Sequence, residues 1–95
     1  MKTHRDLDVW HIAIELAENI YVLTREFPNQ EIYGLVSQIR RSAVSISANL
    51  AEVGARNTRK EFLQFLYYAR ASSSELDTLL EIAKRPNMAE QGKIK

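Results

Sequence analysis

The sequence predicts an all-α protein: an antiparallel, up-and-down helical bundle with three long helices. Three observations predict it. Apolar residues recur at spacings of three and four along three separate segments. Glycine and proline, at only three and two residues, fall between or at the ends of those segments. A capping signature, Thr58 followed three residues later by Glu61, opens the last segment.

The first segment covers about residues 6–26. Trp10, Ala13, Ala17, Ile20, Thr24 and Phe27 form one row at helical spacing, and Val9, Ile12, Leu16 and Leu23 form a second beside it. Two adjacent rows exceed what one partner helix needs, so the second row faces either another helix of the chain or another subunit. Asp6 or Asp8 is placed to cap the start. Pro28 disfavours helical backbone at Phe27 and marks the stop.

The second segment, about residues 33–53, carries Val36, Ile39, Ala43, Ile46, Leu50 and Val53 on one row. Ser42, Ser45, Ser47, Ala48 and Ala51 between them are small, which lets a neighbouring helix approach closely. Serine is a weak helix former, so this segment depends on its neighbours for stability. The third segment, about residues 58–84, carries Phe62, Phe65, Ala69, Ser72, Leu76, Leu79 and Ala83, widened by Leu66 and Leu80, and Pro86 ends it. The tail, residues 87–95, is mostly polar and is expected to fray.

A chain of 95 residues makes one small domain with little stability to spare. It has no cysteine, hence no disulfide, thiol nucleophile or cysteine-based zinc site. Self-association is the expected further source of stability. The N-terminus lacks the apolar run of a signal peptide, and no stretch approaches the roughly 20 apolar residues of a membrane span, so a cytoplasmic location is expected.

No catalytic motif is present, and no nucleophile–base pair or metal set can be assembled, so the chain is expected not to be an enzyme and to need no cofactor. His4 and His11 are read as solvated, and Ser72, Ser73 and Ser74 as small packing residues. Charge says more. Residues 1–26 carry net −2, whereas residues 37–70 carry net +4 through Arg40, Arg41, Arg56, Arg59, Lys60 and Arg70 against Glu52 and Glu61. Five of the six cations are arginine, which binds phosphate in bidentate fashion. These six are the candidate nucleic-acid contacts. The competing reading pairs them internally, with Arg40 or Arg41 meeting Glu75 or Asp77 across an antiparallel helix pair.

Several runs together resemble one family. They are Leu7-Asp8-Val9-Trp10, Phe27-Pro28, Tyr33-Gly34-Leu35, Ser37-Gln38-Ile39-Arg40-Arg41, Ser45-Ile46-Ser47-Ala48-Asn49-Leu50-Ala51-Glu52 and Lys60-Glu61-Phe62-Leu63-Gln64-Phe65-Leu66. Over roughly residues 7–83 the chain resembles the bacterial four-helix bundle family of the 23S rRNA intervening sequence protein. The resemblance implies a homopentamer and a non-enzymatic accessory scaffold associated with RNA or DNA. Through a related branch, the accessory protein of diversity-generating retroelements, it also implies a reverse-transcriptase-like protein partner. A protein–protein interaction module without nucleic-acid binding, or a shortened member without activity, are the alternatives. Arg40 and Arg41 match the family's paired arginines. Asn49 and Glu52 match its turn after the second helix, as ligand contacts or as ties for the loop.

Two departures stand out. Val53 follows Glu52 where the family usually has glycine, and Gly54 comes one place later, so either the loop differs or the second helix runs one residue further. The chain also ends soon after Pro86, so the family's fourth helix is expected to be short or missing, leaving an apolar groove.

Overall fold

The computed structural model describes residues 3–94, without the side chains of Lys93 and Ile94. The charge of Lys2 and the tail's last residue, Lys95, lie outside the described residues. The helices are α1 (Asp8–Thr24), α2 (Ser37–Ala55), α3 (Arg59–Lys84) and α4 (Met88–Ile94), and they form a rod of 50 × 19 × 18 Å. Register follows from the cross-helix bonds. The Ser45 and Ser72 hydroxyls lie 2.8 Å apart and Ser42 Oγ donates to Glu75 at 2.9 Å, so residues advance on α2 as they retreat on α3. Arg40 Nε donates to Thr24 Oγ1 at 2.9 Å, while the backbone of Gly54 abuts His4, so α1 and α2 are antiparallel too.

α2 packs against both α1 and α3, and its apolar row explains why. Val36, Ile39, Ala43, Ile46, Leu50 and Val53 are all buried, with Ile39 at 0% exposure. On α1 the first row is buried at Ala13, Ile20 and Thr24, with Phe27 just beyond the helix. α3 contributes Ala69, Leu76, Leu79 and Ala83. The serines of α2 serve the packing as expected. A direct Ser45–Ser72 hydroxyl contact requires closely spaced helices. Buried Ser47 donates to its own Val44 carbonyl at 2.9 Å. No buried polar side-chain atom among the described residues lacks a partner.

The structure corrects several boundaries. Neither Asp6 nor Asp8 caps α1, whose N-cap position is Leu7 with no side-chain bond. A 3₁₀ turn, His4–Asp6, precedes the helix, and Thr3 and Asp6 close a capping box on that turn. A 3₁₀ turn, Asn29–Glu31, and a wide π-helical turn, Ile32–Val36, lead into α2, so regular α-helix starts four residues later than the pattern suggests. α2 then continues to Ala55 and carries Gly54 within its last turn. Thr58 does cap α3, accepting from the Glu61 N–H at 3.2 Å, whereas the Glu61 carboxylate turns to Arg56 instead of closing the box.

The tail carries a helix over residues 88–94. Asn87 takes a left-handed backbone, φ 55°, its N–H bonds the Lys84 carbonyl at 3.0 Å, and α4 follows for about two turns. Met88 and Ala89 pack against the core, and a Cβ at Gly92 would fall on the Glu26 carbonyl. The fourth helix is therefore short, as expected, but it is seated on the end of α1.

Gly54 is required by a close approach. A Cβ there would stand 2.8 Å from His4 Cα and N, closer than side-chain carbons come to backbone. His4 in turn packs edge-on against Trp10 at 4.8 Å, as does His11 at 5.0 Å, and His11 Nε2 lies 2.7 Å from the Arg5 carbonyl. The two histidines read as solvated are thus the frame of the single tryptophan. Gly54→Ala gains up to about 1 kcal/mol in helix propensity but collides with the turn, so the melting temperature is expected to move little. The turn should lift, and the Trp10 emission should shift towards that of solvated indole. Unchanged emission would show that the turn accommodates the methyl group.

A split set of cations and an open apolar face

The six cations singled out by charge do not form one patch. Arg40 and Arg41 lie within the first two turns of α2. Arg56, Arg59 and Lys60 lie at its far end and at the start of α3. Fifteen residues of helix put about 22 Å between Arg41 and Arg56. Arg70 stands apart, near the middle of α3.

Their environments differ as well. Arg56 is committed within the chain: it pairs with Glu52, lies 3.8 Å from Glu61, and stacks over the Phe65 ring at 4.5 Å. Arg40 is half-buried, bonded to Thr24 and stacked on the Tyr21 ring at 4.5 Å, and it has no carboxylate partner among the described residues. The internal pairing of Arg40 or Arg41 with Glu75 or Asp77 does not form; Glu75 accepts from Ser42 instead. Arg41, Arg59, Lys60 and Arg70 are exposed and free of ion pairs among the described residues. Asn49 and Glu52 are both engaged internally. Asn49 Nδ2 donates to the Ser45 carbonyl at 2.8 Å, and Glu52 holds Arg56 where the chain leaves α2.

Beside Arg40 and Arg41 opens a groove of about 780 Å³, walled by Tyr21 of α1, the turn bearing Ile32 and Tyr33, and the outer side of α2. Among the described residues no carboxylate lines it. The charge count marked the arginines, but the tyrosines carried no comparable signal, because only the packing of α1 on α2 brings Tyr21 and Tyr33 to the same space as Arg40 and Arg41. Among the described residues no cluster of histidines and carboxylates could hold a metal ion.

A second surface lies on the other flank of α1. Val9, Ile12, Leu16 and Leu23, the second apolar row, are all exposed, Ile12 by 65%. α2 covers only the first row, and α4 reaches only the end of the helix near Leu23 and Phe27. Of the two placements left open for this row, the fold thus rules out burial within the described chain.

This architecture defines a helical-bundle protein with one apolar flank uncovered and a set of cations dispersed along α2 and α3. The chain belongs to the 23S rRNA-intervening sequence protein family, whose family model matches residues 5–95. The match runs through α4 and so extends beyond the motifs that carried the resemblance. No curated protein matches the chain. No helix among the described residues is long and apolar enough to cross a membrane.

Proposed function

We propose that this protein is a non-enzymatic, cytoplasmic, homo-oligomeric scaffold that associates with nucleic acid through phosphate contacts. The observation that carries the reading is the state of the cations. Arg41, Arg59, Lys60 and Arg70 stand in solvent without carboxylate partners among the described residues, although α1 alone offers Asp8, Glu15 and Glu18 on its exposed surface. Charges left unpaired in this way favour phosphate over internal bridging. Self-association through the uncovered row of α1 repeats the set in each copy, and the fields of the copies add. Contacts of this kind position a backbone without reading bases.

The test is titration of labelled RNA and DNA over a range of salt. The logarithm of the binding constant should fall linearly with the logarithm of salt concentration, by about 0.7 to 0.9 per phosphate engaged. Changing Arg41, Arg59, Lys60 and Arg70 together to glutamine should flatten the line and weaken binding to all sequences alike. Binding that is absent, or indifferent to salt, overturns the reading. A protein partner captured after nuclease treatment by a chain that binds no nucleic acid would put an interaction module in its place.

A further inference from the structure

The groove at the start of α2 combines three features that the phosphate-binding reading leaves unused. Tyr33 is 97% exposed, an uncommon state for so large a ring. It sits on the π-helical turn Ile32–Val36, a distortion that recurs at functional sites. Two arginines border the same space, and one of them, Arg40, is already fixed by Thr24 Oγ1 and the Tyr21 ring.

We infer that this groove seats a single-stranded nucleic-acid segment, with a base stacked on Tyr33 and the adjoining phosphate held by Arg41. The inference rests on the nucleic-acid reading above and narrows it to one site and one kind of strand. The volume, about 780 Å³, falls within the range of roughly 300–1,000 Å³ that suits compact organic groups. Ser37 and Ser45 line the same space and offer hydroxyls to a sugar or phosphate.

A single strand fits better than a duplex. Stacking on an aromatic face needs an unpaired base. A duplex would reward a continuous charged face, whereas the cations here are split by about 22 Å of helix. An acidic peptide fits less well than either. The walls are helices whose backbone groups are already bonded along their own turns, so an extended peptide finds no sheet edge to join. The groove lies away from the row proposed for self-association: Tyr21 leaves α1 on the side opposite Leu23, two residues along a turn of about 3.6.

The experiment measures binding of an unstructured, labelled single-stranded RNA, and of the same strand annealed to its complement, to the full chain. The single strand should bind more tightly. Tyr33→Ala should weaken it about fivefold or more, Tyr33→Phe should leave it unchanged, and neither should alter the salt slope. Arg41→Gln should reduce that slope by about 0.7. Tyr33 is solvated, so its replacement leaves the fold intact, and circular dichroism checks this. If RNA binds in a salt-dependent way but Tyr33→Ala binds like the parent, or the duplex binds as well as the single strand, the groove assignment falls and the broader reading stands. If neither these RNAs nor the corresponding single- and double-stranded DNA bind, both fall. Should an acidic peptide bind in a Tyr33-dependent way while RNA does not, the site takes a protein instead.

Discussion

Ile39→Ala is expected to destabilise the protein by about 2–5 kcal/mol, the cost of removing a large aliphatic side chain from a site that cannot collapse. Ile39 is fully enclosed, where α2 packs between α1 and α3. A small domain has only about 5–15 kcal/mol in hand, so this one change consumes a large share of it. Each kcal/mol shifts the melting temperature of a domain this size by roughly 4–8 °C, so a fall of about 10 °C or more should appear in thermal melts. Val44 lies five residues on, turned to the outside of the same helix and 45% exposed. Val44→Ala should stay within about 0.5 kcal/mol. Similar losses at the two positions would contradict the assignment of inner and outer faces of α2.

The second large effect concerns assembly. If the chain self-associates as proposed, replacing Ile12 and Leu16 together with lysine is expected to leave single chains of 10.9 kDa. Each apolar side chain covered at an interface contributes about 1.5–3 kcal/mol, and burying an ammonium group in its place costs several more. Since about 1.4 kcal/mol is tenfold in affinity, the combined change should weaken association by more than a hundredfold. Helix content should not change, because both side chains are solvated within one subunit. Sedimentation or light scattering reads the mass, and circular dichroism reads the fold. A parent protein that is itself a single chain at high concentration would remove self-association from the account. A variant that stays assembled would place the interface elsewhere.

The periodic rows were readable because they follow from backbone geometry alone. A residue every third or fourth position shares a helix face wherever that helix ends up. All six apolar positions of the α2 row are buried, and Pro28, Thr58 and Pro86 mark ends close to where the helices stop or start. Short-range rules failed where a competing local partner was available. Asp6 serves Thr3 in a preceding turn instead of α1, and Glu61 serves Arg56 instead of closing its box. The short helix of the tail is hard to see in the sequence because a mostly polar composition hides the two residues that seat it, Met88 and Ala89, and the left-handed turn at Asn87 that aims them.

The sites were less legible than the fold. Summing charge along the chain marked the arginines but could not say that Arg56 is taken up by Glu52 and Glu61, or that Arg41 has no carboxylate partner among the described residues. Pairing depends on the register and rotation of neighbouring helices, and neither is encoded in any single segment. That Tyr21 and Tyr33 share a groove with Arg40 and Arg41 is hidden in the sequence for the same reason.

The amino-acid sequence by itself determined the helical class, the number of long helices, the apolar rows along them and the family, since each depends on local spacing or on local runs of residues. Only the tertiary structure decided which apolar row of α1 stays outside, which cations remain free and where Tyr33 stands. Those outcomes depend on how rigid helices rotate and slide against one another, a relation set by the packing of all of them at once.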